Sequence, residues 1–164
     1  MGSKIIIVDE NDKVIVNKDR ERLKPEDIYR VSALWISNGK DKVLLAKRAL
    51  SKKSFPGCWG PAVSGTVQEG ETYYSNVIKE AREELGLKEI IPTKGPKVRV
   101  ASDDYNYFTQ WYLLTVEEGQ ARLKLNKKEV SELKWLGKSN LKRDVKSKPS
   151  NFTHVMDKWV KIFC

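Results

Sequence analysis

The stretch from Gly65 to Leu87, GTVQEGETYYSNVIKEAREELGL, constrains the fold of this chain more than any other part of its sequence. Its second half is predicted to be a helix that starts after Thr72, a residue suited to capping a helix N-terminus. Gly86 suits the left-handed conformation that often ends a helix. The apolar residues of this segment recur at helical spacing, at Val77, Ile78, Ala81 and Leu85. One side of the helix is therefore expected to pack on a core.

The acidic residues of the same helix are placed against its stability. Glu80, Glu83 and Glu84 fall on one face, where like charges at this spacing repel by roughly a few tenths of a kcal/mol per pair. The last two also lie in the final turn, where the helix dipole disfavours anions. A cation held among the three carboxylates would turn this cost into a binding site. The alternative is a solvated acidic face.

Composition favours a single reduced domain over residues 1–164 with an anionic partner. The chain carries 31 Lys and Arg against 22 Asp and Glu, a net charge of +9. This excess suits a phosphorylated substrate, nucleic acid or solubility alone, and the Lys are scattered rather than interleaved with aromatics as in single-strand binders. Two distant cysteines and the absence of an apolar leader in MGSKIII favour a cytoplasmic protein, and no run is long enough for a membrane span.

The remaining pattern predicts an α/β fold. β-branched runs at residues 4–8 and 13–16 predict an N-terminal hairpin, and further strands are expected at 31–37, 43–46, 97–100, 107–116 and 133–136. Residues 48–59 form a basic loop punctuated by Pro56 and Gly57. Pro149 is expected to open a closing helix over about residues 150–163. One helix in mid-chain and one at the end suggest helices packed on a mixed sheet.

Residues 65–87 closely resemble the Nudix box, G-x5-E-x7-R-E-U-x-E-E-x-G-U, in which U is aliphatic. Gly65 matches its first glycine, Glu71 its first glutamate, and residues 79–87 (KEAREELGL) its second half. The departures are Lys79 in place of Arg and the small Ala81 at an aliphatic position. A pattern with this many fixed positions rarely arises by chance.

The resemblance implies a Nudix-type α/β/α sandwich that carries the box as loop, helix and loop. It implies a hydrolase that cleaves a nucleoside diphosphate derivative or related diphosphate with Mg²⁺, or with Mn²⁺. Glu80, Glu83 and Glu84 would be catalytic metal ligands, helped by the Gly65 carbonyl, and Glu71 would orient the basic residue at 79. Lys79 keeps the charge of Arg but loses its bidentate fork, so this pairing is expected to be looser.

A second segment resembles type I isopentenyl diphosphate isomerases, which share the Nudix fold. It comprises Arg48 to Lys53 followed by Pro56, Gly57 and Trp59. In that family the residues matching Arg48 and Lys52 contact the substrate diphosphate. The isomerase also needs a cysteine and a metal held by several histidines, whereas the matching positions here are Ser64 and Thr66. The chain has one histidine, His154.

Nudix enzymes often take a further carboxylate from a loop outside the box. Glu129 is the first candidate for this catalytic role by its position before the last predicted strand, and Glu132 is the second. Three functions stay open: a diphosphate hydrolase, which is favoured, an isopentenyl diphosphate isomerase, and a basic Nudix protein that binds nucleic acid. The substrate would be a small molecule, and both a monomer and a homodimer are compatible with the sequence.

Overall fold

The computed structural model describes residues 2–164, which form nine β-strands and three α-helices. The strands are β1 (Lys4–Val8), β2 (Val14–Asp19), β3 (Ile28–Ser37), β4 (Lys42–Arg48), β5 (Trp59–Pro61), β6 (Val63–Thr66), β7 (Thr93–Ala101), β8 (Asn106–Thr115) and β9 (Val130–Gly137). The helices are α1 (Tyr73–Leu85), α2 (Lys138–Ser147) and α3 (Met156–Phe163). Short 3-10 turns cover Arg20–Arg22 and Pro149–Asn151.

The strands form one mixed sheet centred on β3, which confirms the predicted sheet type. β3 runs parallel to β8 over the register from Tyr29 opposite Tyr107 to Ser37 opposite Thr115. The other pairings are antiparallel, including β6 on β3, β9 on β4 and the hairpin of β1 with β2. The parallel pairing needs a long crossover, and the segment that holds α1 lies within it.

Helices cover both faces of the sheet. Alternate residues of β3 point to opposite sides, and on each side they belong to an apolar cluster that a helix covers. Leu34 and Ile36 belong to the apolar cluster under α1, with Val77, Ala81 and Leu85 of that helix fully buried. Ala33 and Trp35 belong to the cluster under α2 and α3, whose largest buried side chain is Trp111. This layering confirms the predicted α/β/α sandwich.

The ends of α1 follow from its sequence. The Thr72 hydroxyl accepts a hydrogen bond from the Ser75 backbone N–H at 3.0 Å, and the Ser75 hydroxyl accepts one from the Thr72 N–H at 2.9 Å. This reciprocal pair satisfies two amide donors that a helix N-terminus leaves free. At the other end Gly86 has a φ of 69°, and its N–H bonds back into the last turn. Both helix ends are thus at the residues that the sequence predicted.

The C-terminal region differs from the sequence expectation. The basic segment from Lys138 is itself the helix α2, with Leu141 and Val145 buried on the core, and the closing helix begins only at Met156 rather than near residue 150. Between them Phe152 bridges to Trp59 of β5, and Val155 takes a left-handed φ of 54°. Sheet-like pairing across the molecule therefore keeps 152–155 out of the helix. Within residues 2–164, no helix is long and apolar enough to cross a membrane.

Candidate active site

Gly65 allows α1 to approach β6. A Cβ atom added at Gly65 would lie 2.5 Å from Cγ and 2.6 Å from Cδ of Glu80, well inside van der Waals contact. The φ of Gly65 is not positive, so the strand geometry does not require glycine here. The missing side chain is needed for space. Gly65 and the Glu80 carboxylate are therefore in direct contact, as expected if both belong to one site.

A buried asparagine, Asn76, ties this contact to the loop before the helix. Its amide group donates to the Glu71 carboxylate at 2.8 Å and to the Thr66 carbonyl at 3.2 Å, and lies 3.5 Å from Glu80 Oε1. Its Oδ1 accepts from the Ser32 hydroxyl at 2.5 Å. The sequence analysis missed Asn76. The available signal was a polar residue one turn before Glu80, beside the apolar stripe of α1.

Glu71 and Lys79 form the pair that the sequence predicted. Lys79 Nζ lies 2.6 Å from Glu71 Oε1 and 3.4 Å from Glu80 Oε1, with both Lys79 and Glu71 largely shielded from solvent. Burial acts to raise the pKa of Glu71, but hydrogen bonds from Lys79, the Gln68 backbone and Asn76 outweigh it and lower that pKa. Lys79 thus bridges Glu71 and Glu80, the first glutamate of the helix.

Basic residues of the protein offset only part of the crowding among the helix carboxylates. Burial, with the charges of Glu80 and Glu129 beside it, raises the pKa of Glu84 to about 8, although Lys52 and Arg48 act in the opposite direction. Burial also raises the pKa of Glu80 despite the nearby Lys79. Glu83 is exposed. A cation bound among these carboxylates would relieve the repulsion between them.

The basic loop of residues 48–59 and the residues at the start of β9 complete a cavity of about 1100 Å³. Its wall includes the four carboxylates Glu80, Glu83, Glu84 and Glu129, together with Arg48, Lys52, Gly65 and Lys79. Lys52 is ion-paired with Glu129, and the Ala49 backbone N–H donates to the Glu129 carbonyl at 3.0 Å. Glu132 instead lies 3.7 Å from Lys47, outside this wall. Glu71 lies behind the wall and reaches the site through Lys79 and Asn76.

The donor set fits a hard divalent cation, which prefers a few carboxylates and several waters to a closed protein cage. In residues 2–164, no three His, Cys, Asp or Glu side chains converge into a ready-made metal cluster. The fit rests on the glutamates with raised pKa values and on the close approach that Gly65 permits. Glu80, Glu83 and Glu84 and the Gly65 carbonyl are the groups that could hold it.

A comparison with protein-family models decides the family. The model described as NUDIX domain matches residues 28–156, which is most of the chain. The chain belongs to the Nudix family. Residues 65–87 are thus its Nudix box, and the match also takes in the basic loop and the start of α3.

Individual relatives of this Nudix chain include isomerases. An isopentenyl-diphosphate Delta-isomerase from Citrobacter koseri is 27% identical over 158 residues, covering 93% of this chain and 87% of the relative. Among solved structures, DR0079 from Deinococcus radiodurans superposes with a TM-score of 0.81 at 24% identity, covering 97% of this chain and 98% of that one. A MutT NUDIX hydrolase from Burkholderia pseudomallei gives 0.64 at 21% identity, covering 82% and 97%. The two structural likenesses show the shared fold.

Ser64 and Thr66, the two positions at which the sequence departs from the isomerase resemblance, lie on β6. Ser64 is exposed and lines the cavity beside Gly65. Thr66 is half-buried at the end of the strand. His154 lies in the wall formed by the loop before α3, with its Nε2 2.7 Å from the Tyr107 hydroxyl and its ring stacked on Tyr105. A single histidine held in this way does not make a multi-histidine metal site.

Proposed function

We propose that this Nudix protein hydrolyses a diphosphate linkage in a nucleoside diphosphate derivative or a related small diphosphate, with Mg²⁺ or Mn²⁺ as the metal. The observation that carries the proposal is one wall of the cavity. There Glu80 and Glu84, with raised pKa values, line the same cavity as the basic residues Arg48 and Lys52, whose charges act on Glu84. Carboxylates that favour an added cation and basic side chains that favour an anion, in one cavity, suit a metal and a diphosphate together.

Each residue has a distinct task in this proposal. Glu80, Glu83 and Glu84 would hold the metal with the Gly65 carbonyl, and the bound metal would neutralise the diphosphate and lower the pKa of an attacking water. Arg48 and Lys52 would bind phosphate oxygens. To bind phosphate, Lys52 would break its ion pair with Glu129, and the Glu129 carboxylate would then be free to accept a proton from the water.

Glu71 and Lys79 would act as positioning residues. Lys79 contacts both the Glu71 and the Glu80 carboxylates, so it limits the directions in which Glu80 can turn. Asn76 adds a second link between the same two glutamates. Groups that orient metal ligands in this manner commonly change metal affinity by about 10–100-fold when they are removed.

Isomerisation of isopentenyl diphosphate is the second candidate, favoured by the similarity to the Citrobacter koseri isomerase. It requires a proton donor and acceptor at the position of Ser64. A hydroxyl is far weaker in this role near neutral pH than a thiol, whose pKa is about 8.5. Incubation with isopentenyl diphosphate in D₂O is expected to give no deuterium in recovered substrate or product. Incorporation that depends on enzyme and metal would establish the isomerase instead.

Hydrolysis is tested with a panel of nucleoside and isoprenoid diphosphates, assayed for released phosphate, pyrophosphate or monophosphate with and without Mg²⁺. At least one compound is expected to be cleaved only with metal, and Glu84→Gln is expected to abolish that turnover while the fold persists by circular dichroism. Glu117→Gln, at an exposed glutamate outside the cavity wall, is the matched control. Full turnover in Glu84→Gln, or salt-sensitive nucleic-acid binding with no turnover, would reject the proposal.

A further inference from the structure

The N-terminal hairpin of β1 and β2 lies outside the part of the chain that the NUDIX domain model matches, which begins at residue 28. Its strand β1 nevertheless pairs with the start of the Nudix box. The Lys4 carbonyl accepts a hydrogen bond from the Glu69 N–H at 2.9 Å, and Ile5 forms an antiparallel bridge with Gln68. The Asn17 amide of β2 donates to the Glu69 carboxylate at 2.8 Å. The hairpin therefore holds the loop between β6 and α1 by backbone and side-chain bonds.

This loop supports the glutamate network of the candidate metal site. The Gln68 N–H donates to the Glu71 carboxylate at 2.9 Å, and the Glu71 N–H donates to the Gln68 carbonyl at 3.0 Å. Glu71 in turn is paired with Lys79, which also contacts Glu80. A continuous series of contacts thus joins β1 to the first carboxylate of the helix. A loop that moved away from the hairpin would carry Glu71 with it.

Asp12, in the turn of the hairpin, joins the same element to the start of α1. Its carboxylate accepts hydrogen bonds from the Tyr73 hydroxyl at 3.1 Å, from Arg30 Nε at 2.7 Å and from Lys97 Nζ. Tyr73 is the first residue of α1, and the two cations belong to β3 and β7. The Asp12 side chain is only 9% exposed, although the turn around it is exposed. Four elements of the fold therefore meet at this one carboxylate.

The two cations depend on Asp12 for their arrangement. Arg30 Cζ lies 5.2 Å and Lys97 Nζ 5.0 Å from the centre of the Tyr73 ring, so both charges are close to the same side chain. A ring attracts each cation, but it does not cancel the repulsion between them. An uncharged residue at position 12 would leave both without their counter-charge, which is the costly way to break a shielded ion pair. The hairpin turn and the first turn of α1 would then lose their common anchor.

We propose that the N-terminal hairpin is a positioning element of the metal site, with Asp12 as the positioning residue that holds it against α1. The hairpin fixes the loop at Gln68 through β1 and fixes the first turn of α1 through Asp12. Glu71 and Glu80 are thereby kept at the separation that Lys79 spans. The inference rests on the proposed function of the α1 glutamates as metal ligands. It gives a role in metal binding to residues that the family model does not cover.

The test measures Mn²⁺ affinity by electron paramagnetic resonance in Asp12→Asn, which keeps the shape of the side chain and removes its charge. Asp12→Asn is expected to bind Mn²⁺ about tenfold more weakly than the wild type, the lower end of the effect of removing groups that orient metal ligands. Asp19→Asn makes the same change at a half-exposed carboxylate of the same hairpin. This matched control is expected to bind Mn²⁺ as the wild type does.

Two further variants separate positioning from a loss of stability. Val145→Ala removes buried methyl groups from α2, away from the hairpin, and is expected to lower the Tm while it leaves Mn²⁺ affinity unchanged. Tyr73→Phe removes the hydroxyl that bonds to Asp12. Because Tyr73→Phe and Asp12→Asn act through one contact, their effects on Mn²⁺ affinity are expected to be less than additive in the double variant. Additive effects, or weaker Mn²⁺ binding in Val145→Ala, would overturn the inference.

Hydrogen exchange at the Glu69 amide gives a measurement that does not depend on metal. Its N–H is bonded to the Lys4 carbonyl, and it is expected to exchange about tenfold faster in Asp12→Asn because the hairpin opens locally more often. Unchanged exchange, or equal Mn²⁺ affinity in Asp12→Asn and the wild type, would overturn the inference and leave the proposed function standing. Absence of Mn²⁺ binding in the wild type would reject the proposed function and the inference with it.

Discussion

Substitution of Gly65 by Ala tests the contact on which the geometry of the site depends. The added Cβ would lie 2.5 Å from Glu80 Cγ, an atom near the helix backbone that moves only if the side chain changes rotamer. Forced repacking of this kind costs about 1–3 kcal/mol of the free energy of unfolding. Glu80 would also leave the place where it contacts Asn76 and Lys79. We therefore expect both a less stable protein and a fall of about 10–100-fold in kcat/KM for the metal-dependent reaction.

A double-mutant cycle isolates this contact. In a Glu80→Ala background the clashing atoms are absent, so Gly65→Ala is expected to change stability by less than about 0.5 kcal/mol. Urea unfolding followed by circular dichroism measures all four proteins of the cycle. Gly70 offers a matched control, since it has a φ of 81° and no atom within 4 Å of an added Cβ. Gly70→Ala should cost the same in both backgrounds, because backbone strain does not involve Glu80.

Two outcomes would contradict a role for this contact. An equal loss of stability from Gly65→Ala in both backgrounds would mean that the strand requires glycine for its backbone and not for the approach of Glu80. Unchanged kcat/KM in a destabilised Gly65→Ala protein would mean that Glu80 has no role in holding the metal.

Three further substitutions test the surrounding network. Lys79→Arg should restore a bidentate pair with Glu71 and raise the free energy of unfolding in urea by about 0.2–1 kcal/mol, and a loss would show that the site is shaped for Lys. Asn76→Leu should cost about 1–3 kcal/mol because it leaves buried partners unpaired, and a neutral effect by the same measurement would contradict the network. Burial acts to raise the pKa of Asp12, but hydrogen bonds from Lys97 and Arg30 outweigh it and lower that pKa in the folded protein. Ionised Asp12 therefore stabilises the fold at pH values above its unfolded pKa of about 3.9, and this contribution is lost as the pH falls further. Asp12→Asn should therefore flatten the acid limb of the stability curve measured by urea unfolding, and an unchanged limb would exclude Asp12 as its source.

The fold and the ends of α1 could be predicted from the sequence because they depend on local patterns. Apolar residues at helical spacing, the capping residue Thr72 and the terminal Gly86 act within a few residues of one another. The C-terminal region could not be predicted in the same way. Phe152 is held extended by its bridge to Trp59, a residue 93 positions away in the chain, and no local signal at Pro149 reveals that pairing.

The residues of the candidate site also differ in how far the sequence alone predicts them. The Nudix box names Glu71, Glu80, Glu83 and Glu84 from the sequence alone, and the structure brings the last three into one cavity wall with Glu129. The role of Asn76 depends on the distance between a helix and two strands, since its partners come from Ser32 and Thr66 as well as from the box.

Titration with Mn²⁺, followed by electron paramagnetic resonance, shows directly whether the glutamates of α1 form a divalent-metal site. Free Mn²⁺ gives a sharp signal that is lost on binding, so the measurement needs no knowledge of the substrate. We expect the wild type and Glu117→Gln to bind Mn²⁺ with equal affinity, competed by Mg²⁺, and Glu84→Gln to bind at least tenfold more weakly. Equal Mn²⁺ affinity in Glu84→Gln and the wild type would contradict the account.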